Sequence, residues 1–501
     1  MSVYGEFFTK FMEPFFEGLM TILKAIASGL GQMFNIVNYI TVINDYKSDL
    51  KGVGLVIMIL TILLLLAIIA IIIFFIYRAI KTYVKYRRNV KKEDQLVDEI
   101  EILNNEVLKL KKQNAKIAEL TNENGEIEYD ENGNIKGELK EGESRFFKLS
   151  NVDNKFKEYT PEEIHNDFTL EQLCEIFRNY SASKLKLYYD IHLIRLFIAS
   201  FASNKLIILE GISGTGKTSL AYAFGSFVEN ETTVASVQPS WRDSTEIFGY
   251  FNEFTKKFNE TEILEKMYEA QYTDEVYITL LDEMNISRVE YYFAEMLSIL
   301  ELPNKKDWVI ELVPNVWPDD PEKLDEGKLK IPENMWYIGT INNDDSTFMI
   351  TDKVYDRAMP IAIDDKCEEF EAPDTEALKL SYKYFDKLLK DASQEHPVTD
   401  ETLEKVAQLD RYVIDHFRLA FGNRIVKQLR EFVPAFVACG GDEVLGLDYL
   451  IAHKILRKFE QLNLAYIKDE IDGLINYLEK LFGKDKTPEC KAYLLRLKKT
   501  I

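Results

Sequence analysis

Eight residues near the middle of the chain, Gly211-Ile212-Ser213-Gly214-Thr215-Gly216-Lys217-Thr218, have the types and spacing of a loop that grips a polyphosphate. A triphosphate carries several negative charges and needs many donors at once. Glycines let successive backbone N–H groups turn inward, and a helix opening at Lys217 would present its positive end to the same anion. Lys217 would reach the β- and γ-phosphates and Thr218 would set its hydroxyl on Mg²⁺, with Gly211, Gly214, Thr215, Gly216 and Ser219 completing the nucleotide contact. Asp282 and Glu283 end the apolar run Ile278-Thr279-Leu280-Leu281. There the first carboxylate can hold Mg²⁺ and the second can polarise the attacking water. Asn342 ends another apolar run, where its amide can hydrogen-bond a γ-phosphate or the same water. Arg357 stands just before a last run and could project across a subunit boundary into a neighbour's site.

Such side chains need a rigid frame. Apolar runs at 206–210, 233–237, 276–281, 335–341 and 359–363 alternate with helical periodicity, which predicts a parallel sheet wrapped by helices. A helical lead-in passes through Leu170, Leu173, Cys174 and Phe177, then Ile191, Ile194, Phe197 and Ile198. Beyond 374 the chain is leucine-rich and helical, with one helix ending at Cys439-Gly440-Gly441; it reads as a lid over the nucleotide and a short tail.

A chain of 501 residues exceeds one hydrophobic core and should divide into several units. Its net charge of −22 offers no bulk attraction to nucleic acid, so direct nucleic-acid binding is not expected. The four cysteines lie far apart and read as free thiols in a reducing compartment. The five histidines form no metal-ligand spacing with them, which argues against structural zinc.

Residues 55–76 lack charged or strongly polar side chains, and as a helix they would span roughly 33 Å, enough for a bilayer core. They are expected to form a transmembrane helix. Arg78, Lys81, Lys85, Arg87, Arg88, Lys91 and Lys92 follow it, against Lys47 and Lys51 before it, so everything after Arg78 is expected in the cytoplasm. Phe7, Phe8, Phe11, Phe15 and Phe16 recur at helical spacing in a segment expected to lie in the interface; a second crossing over 19–42 is the alternative. Leu96, Ile100, Leu103, Val107, Leu110, Asn114 and Ile117 repeat as a short coiled coil or a packed amphipathic helix.

Taken together, Gly211 to Thr218, Gln238-Pro239-Ser240-Trp241, Ile247-Phe248-Gly249-Tyr250-Phe251-Asn252, Leu281-Asp282-Glu283-Met284-Asn285, Gly339 to Thr347 and Asp356-Arg357 resemble an AAA+ ATPase. They are most similar to its McrB-like and MoxR-like, or dynein-related, branch, over about 165–465. The resemblance implies that Asn342 is the sensor-1 residue, Arg357 a trans-acting arginine finger and Arg424 a lid sensor on the nucleotide. It also implies a hairpin at 249–258, an insertion at 302–332, ATP and Mg²⁺ as ligands, a hexameric ring and a separately encoded protein partner. Two departures weigh against a restriction motor: a membrane segment replaces a DNA-reading domain, and Asp-Arg replaces an arginine cluster.

The expected organisation is an amphipathic segment (1–52), a membrane helix (53–77), a basic collar and coiled coil (78–120), an acidic spacer with a small hairpin (121–160), an α/β nucleotide-binding domain (161–365) and an α-helical lid with a tail (366–501). The expected function is a single-pass, membrane-anchored ATPase that remodels or activates a partner protein, in bacterial defence for instance. The alternatives are a slow MoxR-type scaffold or chaperone, and a GTP-dependent nucleic-acid translocase.

Overall fold

A computed structural model describes residues 142–160, 163–342, 347–462 and 464–499, the stretch 35–46, and isolated positions before residue 140. The chain divides into two compact units, Met1–Glu126 and Ile127–Ile501. In the first, the helix Ile36–Tyr46 is described. The span expected at 55–76 falls outside the described residues, apart from the helical positions Val56, Ile59, Leu60 and Leu63. Among the described residues no helix is long and apolar enough to cross a membrane. The coiled coil at 96–117 and the hairpin near 132 also lie outside them.

The second unit is an α/β fold. Its strands are β1 (Leu206–Gly211), β2 (Thr233–Ser236), β3 (Gly249–Phe251), β4 (Phe258–Glu260), β5 (Tyr277–Asp282), β6 (Val309–Glu311), β7 (Leu324–Asp325), β8 (Lys328–Lys330), β9 (Met335–Asn342) and β10 (Ala358–Ala362). Five make one sheet, in the order β10-β1-β9-β5-β2, and every pairing in it is parallel. Apolar runs form these strands because both faces are covered. Ile207 and Leu209 of β1, Ile278 and Leu280 of β5, and Trp336 and Ile338 of β9 enter one core, while Leu206 and Ile208, Tyr277 and Leu281, and Met335 and Tyr337 enter the other.

The first core also takes in the lead-in helices Leu170–Leu185 and Ile191–Ser203, the helix Lys217–Phe227 and the C-terminal helices, among them Gly422–Ala438. The lead-in and the C-terminal helices therefore share one interior. β3 and β4 form an antiparallel hairpin at 249–260, and β6, β7 and β8 a small antiparallel sheet at 309–330.

The spacer expected over 121–160 needs correcting at its C-terminal end. The helix Phe147–Phe156 buries Leu149, Val152 and Phe156 in the second core, and the guanidinium of Arg145, 3% exposed, pairs with Asp320 at 2.7 Å. Polar composition hid this helix: a ten-residue element supplies too few apolar positions to stand out from an acidic stretch.

Candidate active site

β1 is buried along its whole length and leads straight into the loop that begins at Gly211. Gly211 has φ 145°, and a Cβ there would fall 2.3 Å from the carbonyl oxygen of Ile363. Gly216 caps the helix Lys217–Phe227 at φ 94°, a left-handed conformation that other L residues adopt only with strain. Lys217 is 5% exposed, and its ammonium donates to the carbonyls of Gly211 (3.0 Å) and Ile212 (2.7 Å). The Tyr189 hydroxyl donates to the Gly216 carbonyl at 3.3 Å, which steadies the loop from the lead-in side.

Sheet order sets the remaining groups beside this loop. β9 lies between β1 and β5, with Asn342 in register with Gly211 and Gly339 with Leu281. The Thr218 hydroxyl donates to Asp282 Oδ1 at 2.8 Å, and the Thr340 hydroxyl donates to the same oxygen at 2.8 Å. Thr340 Oγ1 in turn accepts the backbone N–H of Glu283 at 2.8 Å, and Asn342 Nδ2 donates to Glu283 Oε1 at 3.2 Å. One chain of hydrogen bonds thus joins the loop, both carboxylates and the amide.

Glu283 has φ 52°, a left-handed backbone that costs a non-glycine residue about 1–2 kcal/mol. The bonds from Thr340 and Asn342 hold it there, and strain of this kind concentrates at working sites. Gly339 lets Met284 lie against the strand: a Cβ there would fall 1.9 Å from the Met284 sulfur, so that side chain would have to move. Asn285 links Asn342 to Phe348: its Nδ2 donates to the carbonyls of Asn342 (3.1 Å) and Phe348 (3.4 Å), and its backbone carbonyl accepts from Phe348 N–H. The hydroxyl of Thr218 and the carboxylate of Asp282 make a hard-oxygen set that suits Mg²⁺, and the loop with Lys217 suits a polyphosphate.

Arg357 sits at the opposite edge of the sheet. It precedes Ala358, which pairs with Leu206 at the start of β1, whereas the loop follows Gly211 at its end, about 17 Å along the strand. Its guanidinium pairs with Glu301 at 2.6 Å and donates to the Lys353 carbonyl at 2.8 Å. Arg424, expected on the nucleotide, is placed elsewhere: it pairs with the other oxygen of Glu301 at 2.6 Å and approaches Asp356 at 3.8 Å. The helix Gly422–Ala438 starts beside the Asp356 turn, so its first charged side chain joins Arg357 and does not reach the loop.

No protein-family model matches the chain, and no curated protein matches it. Among solved structures, a full-length MCM homologue from Methanopyrus kandleri is similar over 56% of this chain and 58% of that one, at 11% identity and a TM-score of 0.31. The likeness therefore spans a little over half of that protein. The second unit is thus a parallel sheet flanked by helices, with the glycine-rich loop at its carboxyl edge.

A cavity of about 410 Å³ opens beside the glycine-rich loop, lined by Glu210, Gly211, Asn342, His453, Arg457 and Arg496 among others. Neither Lys217 nor Asp282 lines it. Glu210 accepts from Arg457 Nη1 at 2.8 Å and from the Tyr355 hydroxyl at 2.9 Å, with His453 Nδ1 at 3.8 Å. Burial pushes the Glu210 carboxyl up, but His453, Arg457 and Tyr355 together bring it down to about 2. Burial likewise opposes charge on His453, and the carboxylates of Glu210 and Glu489 outweigh it, so this imidazole titrates above its ordinary 6.5.

The signs of these shifts fix a pH window. His453 contributes fully below about pH 6.5, and its contribution is lost as pH rises through the raised folded value. Glu210 contributes above about pH 4.5, and its contribution is lost as pH falls toward about 2. The thermal midpoint is therefore expected to fall as pH rises above 6.5, and His453→Gln should remove the part of that fall due to this imidazole. Parallel slopes in the two chains would discard the assignment.

Sequence reasoning missed Thr340, Tyr189, Glu210 and Glu301. Thr340 carried a usable signal, since strand alternation puts it on the same face as Asn342. Tyr189 and Glu301 meet the site through elements distant in sequence, and Glu210, though it adjoins Gly211, finds its partners Tyr355, His453 and Arg457 far along the chain.

Proposed function

We propose that the chain is a membrane-anchored, ring-forming ATPase of the McrB-like and MoxR-like branch of the AAA+ superfamily, and that it hydrolyses ATP to remodel or activate a separately encoded protein. The observation that carries the hydrolytic part is the hydrogen-bonded series Thr218, Asp282, Thr340, Glu283 and Asn342, which starts at the phosphate loop and ends at a base held by an amide.

In this reading the backbone of 211–216 and Lys217 bind the phosphates, and Thr218 and Asp282 hold Mg²⁺, which supplies charge neutralisation. Glu283 takes a proton from the attacking water. Asn342 orients that carboxylate and Thr340 fixes its backbone. Arg357, about a strand's length from the loop of its own protomer, serves the site of a neighbour, which makes the active form an oligomer. Arg424 shares Glu301 with it and so belongs to the same intersubunit face.

Anchoring rests on the apolar run at 55–76 and the basic flank from Arg78, which together place 78–501 in the cytoplasm of a single-pass protein. In cells the full chain should sediment with membranes and resist alkaline extraction, and protease added to right-side-out vesicles should leave 78–501 intact. Release into the alkaline supernatant would remove the anchor from this account.

The ion pair between Arg357 and Glu301 favours gated turnover over a fast unregulated motor, because the guanidinium must leave this carboxylate before it can act in a neighbour. Stimulation of hydrolysis by the partner is the measurement that separates a remodelling motor, accelerated many-fold, from a slow scaffold, which is hardly changed.

A further inference from the structure

We propose that residues 453–458 are a positioning element that ties the root of the phosphate loop to the turn carrying Arg357, so that one protomer's loop sets the finger it offers to the next. The inference rests on the trans role given to Arg357 above.

Four consecutive carbonyls frame Arg357, and each accepts from a side chain outside the turn. Lys454, 3% exposed, donates through Nζ to Tyr355 O (2.6 Å), Ala358 O (2.6 Å) and Asp356 O (3.4 Å). Gln428 Nε2 also donates to Asp356 O (3.0 Å), and Asn204 Nδ2 donates to Arg357 O (2.9 Å). Lys458 adds an ion pair with the Asp356 carboxylate at 2.8 Å. A buried amine donating to three carbonyls leaves the turn little freedom, because any shift would leave polar groups unpaired in the interior.

The same few residues hold the other end. His453 and Arg457 reach Glu210, the residue before Gly211, and the Arg457 guanidinium lies 3.4 Å over the Tyr355 ring, whose hydroxyl donates to Glu210. His453 and Arg457 thus grip the loop's root, and Lys454 and Lys458 grip the finger's turn. His453 and Lys454 lie in a π-turn, Ile451–Ile455, a rare geometry that recurs at functional sites, and Arg457 and Lys458 in the 3-10 turn that follows it, Leu456–Gln461. A displacement of Glu210 as the loop closes on phosphate would pass through this rigid segment to Arg357.

The test uses mixed oligomers of the full-length chain. Arg357→Ala protomers keep a working loop but offer no finger. Glu283→Gln protomers bind nucleotide, so their loop closes and their finger is set, but they do not hydrolyse. Mixing the two should restore ATP turnover at least tenfold over either alone. Adding Lys454→Met to the Glu283→Gln protomer should abolish most of that restoration while the variant still assembles. Lys454→Gln, which keeps a donor, should recover part of it. Lys458→Gln in the same protomer acts at a partly exposed position and should lower the restoration about threefold; it decides the matter if the Lys454 variants do not assemble. Restoration unchanged by these substitutions would overturn the coupling and leave the trans finger standing. No restoration in the parent mixture, with turnover retained by Arg357→Ala alone, would instead overturn the trans reading itself.

Discussion

Arg357→Ala is expected to lower ATP turnover about 10³-fold or more while nucleotide affinity changes less than about threefold. An arginine supplied to a transferring phosphoryl group stabilises charge that develops only in the transition state, so its loss falls on kcat and leaves KM nearly unchanged. The structure separates the two effects, because Arg357 lies about 17 Å from the loop of its own chain and is held by Glu301 there. Phosphate release at saturating ATP, together with titration of a fluorescent nucleotide, gives both numbers. Equal losses in affinity and turnover would mean that the residue supports its own fold and serves no neighbour.

Glu283→Gln should reduce hydrolysis about 10²- to 10⁴-fold and leave nucleotide bound in assembled oligomers. The amide keeps the size of the carboxylate and one oxygen for Asn342 Nδ2, and the left-handed backbone at φ 52° is held mainly by the Thr340 bond, which does not involve the side chain. What is lost is the proton acceptor. Single-turnover hydrolysis and nucleotide retention after gel filtration read the two consequences. Turnover within a few-fold of the parent would transfer the base role to another group and remove the mechanism proposed here.

The sheet was legible because each strand is a buried apolar run flanked by turn residues, and the five runs read from the sequence coincide with β1, β2, β5, β9 and β10 to within one or two residues. Asp282, Glu283 and Asn342 were legible for the same reason: in a parallel sheet the carboxyl ends of the strands share one edge, so polar residues that end apolar runs gather there. The helix Phe147–Phe156 was not legible. Its three buried positions sit among lysines, asparagines and an aspartate, and only the second core shows why they are apolar.

Arg424 shows the limit of motif placement. Its position in the chain suggested a lid residue on the nucleotide, but helix packing decides which edge of the sheet a C-terminal helix meets, and this one starts at Asp356. The Lys454 contacts are likewise invisible in sequence, since a lysine within an apolar helix announces burial without naming its acceptors.

By itself, the amino-acid sequence determined the local chemistry: a glycine-rich loop fit for phosphate, two carboxylates and an amide at strand ends, and an apolar stretch long enough for a bilayer. These depend on residue type and short spacing, which the chain carries at every position. Tertiary structure alone decided strand order, the Thr340 link between the carboxylates, and the pairing of Arg357 with Arg424 on Glu301. Contacts between segments far apart in the chain follow from how whole helices and sheets pack, a global minimum that no short window encodes.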